Sequence, residues 1–357
     1  MSEQRRATLI GTGLIGGSVG LALRARGWWV SGTDVTPGLV DRAIDAGACD
    51  AEGLDADSDL VVVATPVGAV VDESRRALEV SPRAVVTDVG GVKATIVSAI
   101  DDPRFVGGHP MAGSEELGVV GARADLFEGA AWVLCPGPRT ADASFAMVRQ
   151  VVASFGAQVL TLSPVDHDRG VAVVSHVPHL TAAALVQVTG DHSSDHAALL
   201  RLAAGGFGDM TRIAAGSPAI WPGVCDQNRD AIVEVLDQLG DELRSIRSLI
   251  AERDGDALLE LLTEAQHVRR NLPTRPSAVG PHSEVRVLVE DRPGSVKAVA
   301  TLATDLDVNL AGVNTFDLDG KARGMLVLRV LTSDAERFGR SLLDAGFRAF
   351  VQTEDET

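Results

Sequence analysis

A glycine-rich segment near the start of the chain, GTGLIGG (Gly11–Gly17), lies between a short apolar run and an amphipathic helical pattern. Gly11 permits a tight turn, Gly13 lets the backbone approach a pyrophosphate, and Gly16 allows the helix to pack closely on the strand. The start of such a helix directs free backbone N–H groups toward phosphates. We therefore predict a dinucleotide site formed by Gly11, Thr12, Gly13, Leu14, Ile15 and Gly16.

An acidic residue, Asp34, ends the next β-branched run, 18 residues after Gly16. A carboxylate at this position binds both ribose hydroxyls and repels a 2′-phosphate, so the spacing favours NAD over NADP. Thr65, Pro66 and Val67 end a later apolar run, and we expect them at the carboxyl edge of the sheet beside the nicotinamide half. A plain strand-ending turn is the alternative for these three residues.

The order of the patterns predicts two domains up to Arg270. Short β-branched runs alternate with helical patterns from Ala7 to about Leu162, as in a doubly wound parallel sheet. From Asp166 onward the pattern is helical, with one long apolar stripe between residues 232 and 250. We predict an α/β Rossmann domain (residues 1–165) and an all-α helical domain (166–270). The length of the stripe predicts contact with a second copy of the chain, in a homodimer.

A third domain is predicted after a linker. Residues 271–282, NLPTRPSAVGPH, carry three prolines and no periodicity, which is typical of a linker. The patterns then run strand, helix, strand, strand, helix, strand. Residues 283–357 are therefore expected to form a ferredoxin-like βαββαβ unit.

Composition limits the partners of the chain. Its 357 residues include 32 Lys and Arg against 49 Asp and Glu, a formal net charge of −17 spread along the sequence. We therefore expect no nucleic-acid partner, and an anionic substrate must meet a local positive group. Cys49, Cys135 and Cys225 are widely spaced, which argues against a disulfide framework or a thiolate metal site. No apolar run has the length of a signal peptide or a membrane span, so we expect a cytoplasmic protein.

Two segments carry histidines suited to chemistry. In VGGHPMAGSEELGV (residues 106–119), His109 stands at the carboxyl end of a strand, where a neutral imidazole can act as a general base. In SHVPH, Ser175 and His179 are four residues apart and would share one helix face, while His176 would point elsewhere. Taken singly, a strand-end histidine and a helix histidine each also have a purely structural explanation.

A third segment, GDMTRIAAGSPAIWP, places Arg212 ahead of Trp221. The guanidinium can bind a carboxylate, and the indole can form an aromatic wall of the pocket. A surface ion pair is the structural alternative for the arginine.

Together and in this order, GTGLIGGS, TDVGGVK, GGHPMAGSE, SHVPH and TRIA with a following tryptophan resemble the prephenate dehydrogenases over roughly residues 8 to 270. The resemblance implies NAD-dependent oxidative decarboxylation of prephenate in tyrosine biosynthesis. It implies His109 as the catalytic histidine, Ser175 and His179 as further site residues that contact substrate, and Arg212 and Trp221 as substrate-binding residues.

Other activities remain open on this resemblance. Arogenate dehydrogenases share the scaffold and the chemistry, and the sequence does not separate arogenate from prephenate as substrate. A β-hydroxyacid dehydrogenase would rely on a helix lysine instead of the HPMAG segment. A non-catalytic sensor of NAD and amino acids would have no need for His109, His179 and Arg212 together.

The chain departs from the family pattern at Gly91, within TDVGGVK (Thr87–Lys93). Relatives usually carry a serine or a similar polar residue there, close to the catalytic histidine. We therefore expect a water or a backbone group to orient His109 instead.

The segment EDRPGSVKAVATLATDLDVNL resembles the ACT domain, a small regulatory fold that binds amino acids, and the match extends over about residues 283 to 355. Pro293 and Gly294 would open the first helix with free N–H groups for an α-carboxylate, and Asp291 or Asn309 would meet the ammonium. The resemblance and the pathway imply an aromatic amino acid as effector. A dimerisation module without a ligand is the alternative.

Overall fold

The computed structural model describes residues 4–113, 118–193, 205–271, 282–290, 292, 294–306, 308–310, 312–317 and 323–353. Contacts within the chain divide it into two compact units, Met1–Asn271 and Leu272–Thr357. Each unit is described separately below.

The first unit is built on one sheet. Its strands are β1 (Arg6–Ile10), β2 (Trp29–Thr33), β3 (Ala51–Glu52), β4 (Leu60–Val63), β5 (Val85–Asp88), β6 (Phe105–Pro110), β7 (Ala131–Pro136) and β8 (Gln158–Thr161). They are ordered β3-β2-β1-β4-β5-β6-β7-β8. All neighbours are parallel except β6 and β7, which pair antiparallel. The predicted Rossmann sheet is present, with the short β3 and the reversal at β7 as additions.

Helices flank this sheet, and apolar side chains fill both of its faces. The helices are α1 (Leu14–Arg24), α2 (Leu39–Asp45), α3 (Val70–Val80), α4 (Ala94–Ala99) and α5 (Asp142–Ser154). Strand β4 contributes Leu60 and Val62 to one core and Val61 and Val63 to the other. A strand buried on both faces is apolar at every position, which explains why this run does not alternate.

The helical part of the first unit begins at Pro164. It contains α6 (Pro164–Val171), a π-helical turn (Ala172–His176), α7 (Val177–Ser193), α8 (Gly205–Thr211), α9 (Trp221–Gln227), α10 (Arg229–Glu252) and α11 (Gly255–Asn271). Ser163 caps α6 by accepting a hydrogen bond from the Asp166 N–H at 3.1 Å. Proline at the first helical position needs no N–H partner, so the sequence starts the helix at this point.

One stretch in this part, Pro164–Thr189, is long and apolar enough to cross a membrane by length and composition. This finding corrects the expectation that no segment approaches that length. The same stretch carries the buried polar side chains His167, Asp168 and His176, which hydrogen-bond to other parts of the chain. Such contacts are those of a helix packed within a protein.

The second unit contains a four-stranded antiparallel sheet in the order β10-β11-β9-β12, formed by β9 (His282–Glu290), β10 (Gly312–Asp317), β11 (Arg323–Leu331) and β12 (Arg348–Thr353). The helices α12 (Ser295–Asp305) and α13 (Thr332–Asp344) pack on it around Val285, Leu328 and Phe338. Strands and helices follow one another in the predicted order.

Candidate active site

The glycine turn between β1 and α1 is shaped by close backbone contacts. Gly11 has a φ of 95°, and a Cβ there would lie 2.4 Å from the Ala64 carbonyl oxygen. A Cβ on Gly16 would lie 2.0 Å from the Gly11 carbonyl oxygen. At Gly13, by contrast, a Cβ would meet no described atom within 4 Å. Gly11 and Gly16 are therefore required by packing, and Gly13 keeps the open side of the turn accessible to a ligand.

Polar groups around this turn fit a dinucleotide. Asp34 accepts hydrogen bonds from the backbone N–H groups of Thr12 and Thr36, both at 2.9 Å. No side chain caps the first turn of α1, which begins at Leu14, so its N–H groups are available to a pyrophosphate. In the described part of the chain, the buried Oγ1 of Thr65 has no hydrogen-bond partner, and a bound nicotinamide half can supply one. The residues present thus fit NAD.

His109 stands at the carboxyl-end region of β6 and belongs to a chain of three polar side chains. Its Nδ1 lies 2.8 Å from Nε2 of His167, and Nδ1 of His167 lies 2.7 Å from Oδ1 of Asp168. Asp168 also accepts hydrogen bonds from the backbone N–H groups of Lys93 at 2.7 Å and Ala94 at 2.8 Å. We call His109, His167 and Asp168 the histidine relay.

A buried ion pair supports the loop beneath the relay. The Lys93 ammonium donates to the Asp88 carboxylate, and both side chains are fully buried. Asp88 also accepts from the backbone N–H groups of Gly90 at 2.8 Å and Gly108 at 3.1 Å. Since Gly108 precedes His109, this carboxylate joins the loop after β5 to the strand that carries the histidine.

The position of the family departure, Gly91, faces His109. A Cβ on Gly91 would lie 3.8 Å from Nε2 of His109, an ordinary van der Waals distance. The orienting partner of His109 is the imidazole of His167, on Nδ1, in place of the expected water or backbone group. The Nε2 side of His109 is therefore the side that faces Gly91.

Burial controls the protonation of the histidines in this region. It lowers the pKa of His109 well below the ordinary value of 6.5, and the nearby Lys93 ammonium acts in the same direction. Burial also lowers the pKa of His176 to about 4 and the pKa of His179. At neutral pH these imidazoles are therefore uncharged, and His109 is able to accept a proton.

A second group of side chains forms an aromatic wall. Trp221 stacks on His179 with ring centroids 3.8 Å apart and planes inclined by 17°, and its edge meets His176 at 6.1 Å. The Asn228 side-chain amide lies 2.8 Å from the Asp168 carbonyl oxygen, to which it donates, and 3.1 Å from Nδ1 of His176. The expectation that His176 points elsewhere is wrong, because its ring contacts the same tryptophan as His179 does.

The π-helical turn explains this arrangement. The Val177 N–H donates to the carbonyl oxygen of Ala172, five residues earlier. Pro178 follows directly, and in a regular α-helix its ring would clash with the carbonyl four residues earlier, whereas a wider turn relieves the clash. Ser175 lies within the turn and is half-buried. The predicted pairing of Ser175 with His179 on one α-helical face is thus changed by one extra residue in the turn.

Arg212 begins a short 3₁₀ turn, Arg212–Ala215, directly after α8, and its side chain is exposed. The turn adjoins the aromatic wall, since a Cβ on Gly216 would lie 3.9 Å from Cε1 of His179. Arg212, the predicted carboxylate-binding residue, therefore lies close in the chain to a position beside His179, a predicted substrate-binding residue.

The helical part also contacts the cofactor edge of the sheet. Val67 opens a 3₁₀ turn after Thr65 and Pro66, and a Cβ on Gly223 of α9 would lie 3.3 Å from its Cγ1. Because α9 begins at Trp221, the aromatic wall and the predicted nicotinamide edge are neighbours.

A cavity of about 500 Å³ adjoins Asp168 and Asn228 between α4, α6 and α10. Its lining includes neither His109 nor His179 nor Trp221, so it is separate from the aromatic wall. In the ranges that the model describes, no cluster of three or more His, Cys, Asp or Glu side chains is arranged to hold a metal ion.

Two of the four predicted effector residues can be placed in the second unit. Gly294 precedes α12 with a φ of 97°, and Asn309 is exposed. Asp291 and Pro293 lie outside the described residues.

Sequence reasoning missed His167, Asp168 and Asn228. A signal for the first two was available, since an adjacent histidine and aspartate follow Ser163 and Pro164 at a strongly marked helix start. Asn228 carries no such signal, because its role depends on the tertiary packing of α10 against α6.

Comparison with known proteins identifies both parts of the first unit. The nucleotide-binding domain model of prephenate dehydrogenase matches residues 19–161, and the dimerization domain model of the same family matches residues 163–264. Prephenate dehydrogenase of Bacillus subtilis (strain 168) is 30% identical over 355 residues, covering 94% of this chain and 95% of that protein.

Two solved structures extend the comparison. Prephenate dehydrogenase from Aquifex aeolicus in complex with hydroxyphenyl propionate and NAD⁺ has a TM-score of 0.71 at 30% identity, covering 76% of this chain and 99% of that one. Synechocystis arogenate dehydrogenase has a TM-score of 0.64 at 28% identity, covering 75% and 100%. The nucleotide-binding part and the helical part of the first unit thus both match this family. The chain belongs to the prephenate dehydrogenase family of NAD-dependent oxidoreductases.

Proposed function

We propose that this enzyme converts prephenate to 4-hydroxyphenylpyruvate with reduction of NAD, and that His109 is the group that accepts the proton of the substrate hydroxyl. The observation that carries the assignment is the orientation of His109. Its Nδ1 is occupied by His167, and its Nε2 is directed toward Gly91, which itself has no side chain.

The proposed reaction combines hydride transfer, proton transfer to His109 and loss of carbon dioxide. The glycine turn would hold NAD, which would supply the acceptor for the hydride of the hydroxyl-bearing carbon. As that carbon becomes a carbonyl, the neutral imidazole of His109 takes the hydroxyl proton, and loss of the ring carboxylate as carbon dioxide makes the ring aromatic. A positioned base of this kind contributes on the order of 100-fold to 10,000-fold.

Substrate binding is assigned to the helical part. Arg212 supplies the positive group that a dianionic substrate needs in a chain with a net charge of −17. His179 and Trp221 form a stacked imidazole and indole, an apolar wall for the ring. Ser175, in the π-helical turn before His179, is proposed as a further substrate contact. Each of these roles is a proposal that mutagenesis can test separately.

The substrate is tested by an assay of NADH formation with prephenate and with arogenate. We expect prephenate to be turned over with the higher kcat/KM, as the name of the Bacillus subtilis relative suggests. Exclusive turnover of arogenate would make the chain an arogenate dehydrogenase, and the Synechocystis neighbour makes that outcome a real alternative. Absence of NADH with both substrates, while NAD still binds, would favour the non-catalytic sensor.

The helical part is also assigned a role in assembly. Along α10 and α11, large apolar side chains are exposed in the single chain, namely Val233, Leu236, Leu243, Ile250, Leu259, Leu262 and Val268. Contiguous apolar surface of this kind marks a protein interface. The family model names this region a dimerization domain, and we propose a homodimer that buries these helices, in a cytoplasmic enzyme.

We further propose that the second unit is a ferredoxin-like, ACT-like regulatory domain. Its element order and its antiparallel sheet support this assignment. Gly294 leaves the N-terminus of α12 without a side-chain cap, which suits an α-carboxylate. Isothermal titration calorimetry of the full chain with tyrosine, phenylalanine and tryptophan is expected to show binding of one of them. Absence of heat with all three would remove the effector and leave the dimerisation module.

A further inference from the structure

We propose that His167 and Asp168 are positioning residues that fix the tautomer of His109 with its lone pair on Nε2, and that they stabilise the proton on His109 during the reaction. The proposal rests on the proposed function of His109. Its support is the donor and acceptor order along the relay, which starts from a carboxylate whose partners are unambiguous.

Asp168 sets the direction of every hydrogen bond in the relay. The backbone N–H groups of Lys93 and Ala94 can only donate, so both carboxylate oxygens of Asp168 act as acceptors, as in the ionised form. Nδ1 of His167, 2.7 Å from Oδ1, must therefore carry the hydrogen. In the neutral ring this leaves the lone pair on Nε2 of His167.

The donor and acceptor at the next contact, between His167 and His109, follow in the same way. With a lone pair on Nε2 of His167, the 2.8 Å contact requires that Nδ1 of His109 carries the hydrogen. The lone pair of neutral His109 is then on Nε2, which faces Gly91. The opposite tautomer would present an N–H to the substrate hydroxyl and could not accept its proton.

The stoichiometry of the reaction calls for storage of the proton. The hydride leaves with an electron pair, and the hydroxyl proton goes to Nε2 of His109. The bond between the ring and its carboxylate then breaks, and the electron pair of this carbon–carbon bond moves through the ring to the oxygen. The oxygen becomes a phenolate and takes the proton back from His109. No proton is released overall, so the cavity beside Asp168 is not needed as an exit.

Storage requires that the imidazolium of His109 is stabilised while it exists. The ring is desolvated, which disfavours its charged form. The Nδ1–H bond to His167 becomes charge-assisted once Nε2 is protonated, and the Asp168 carboxylate compensates the charge through His167. A buried carboxylate has the same effect on a catalytic histidine in the serine proteases, and there it is not itself protonated.

The first test replaces His167 with leucine and with glutamine. His167→Leu removes the acceptor for His109 Nδ1 and is expected to lower kcat about 100-fold or more, with NAD affinity within about 2-fold of the parent. His167→Gln can offer an amide oxygen near the position of Nε2, and we expect it to recover at least about 10-fold of that loss. Equal losses in both variants, or wild-type kcat in His167→Leu, would overturn the proposal.

A double-mutant cycle separates positioning from general damage. In a His109→Asn background, His167→Leu is expected to change kcat by less than about 2-fold, because the relay acts only through His109. A further loss of the same size as in the parent would assign His167 a structural role instead. If the parent does not oxidise prephenate, or His109→Asn is as active as the parent, the proposed function itself fails, and the cycle identifies that case.

A spectroscopic test needs neither turnover nor a variant. ¹⁵N chemical shifts of histidine side chains in the unliganded wild-type enzyme at neutral pH report which ring nitrogen carries the hydrogen. We expect the Nδ1–H form for both His109 and His167. An Nε2–H form for His109 would overturn the tautomer assignment whatever the kinetics show.

Discussion

Replacement of His109 with asparagine is expected to lower kcat for prephenate by about 100-fold to 10,000-fold, the range that a positioned general base contributes. Asparagine can retain a hydrogen bond to the substrate hydroxyl, so KM for prephenate should change far less than kcat. The affinity for NAD should be unchanged, because the glycine turn and Asp34 are separate from His109. Steady-state kinetics with NADH detection and a separate NAD-binding titration measure these quantities.

His282→Asn serves as the matched control, since His282 begins β9 of the second unit whereas His109 stands on β6 of the first. In the parent, the lowered pKa of His109 keeps the acceptor form present as pH falls through 6.5, so kcat should not drop there through its protonation. The unfolded chain takes up this proton first, so the free energy of unfolding decreases as pH falls below 6.5. Wild-type turnover in His109→Asn would remove the histidine from the mechanism.

Replacement of Arg212 with alanine is expected to raise KM for prephenate about 10-fold to 100-fold while kcat changes by less than about 5-fold. The estimate corresponds to the loss of one charge-assisted hydrogen bond to a carboxylate, about 1.5–3 kcal/mol. Arg212→Lys should recover part of the loss, because lysine keeps the charge but cannot bind a carboxylate with two parallel bonds. Steady-state KM values and direct binding of a non-reacting dicarboxylate analogue check this prediction.

Arg149→Ala, an exposed position on α5, makes the same change in net charge away from the site and should leave KM within about 2-fold. If Arg212→Ala lowers kcat at unchanged KM, the guanidinium acts on the transition state and the assignment as a substrate anchor is wrong.

Much of the fold follows from local sequence pattern. The run around Leu60 and the turn at Gly11 are fixed by burial on both faces and by backbone crowding, and such requirements are visible in residue type alone. The strand β3 was not predicted, since its two residues are too few to show a period. The antiparallel pairing of β7 was not predicted either, because strand direction depends on the path of the connecting chain and not on composition.

The candidate site was predicted less completely than the fold. His109, His179 and Trp221 stand in motifs, and the structure gives each of them a partner in the site region. The His167 contact joins residues 58 positions apart, and no pattern within one segment reports on such a distance. The prediction that Ser175 and His179 share one helix face assumed 3.6 residues per turn. The turn before Pro178 is wider than that, so the prediction did not describe the SHVPH segment correctly.

The wide turn between α6 and α7 links two functions mechanically. His167 and Asp168 lie before it and His179 lies after it, so one continuous helical segment carries both the groups proposed to orient the base and the ring proposed to contact the substrate. Removing one residue between them would rotate everything downstream by about 100° around the helix axis. Length changes in this short stretch should therefore be far more harmful than substitutions at its exposed positions, Val173 and Val174.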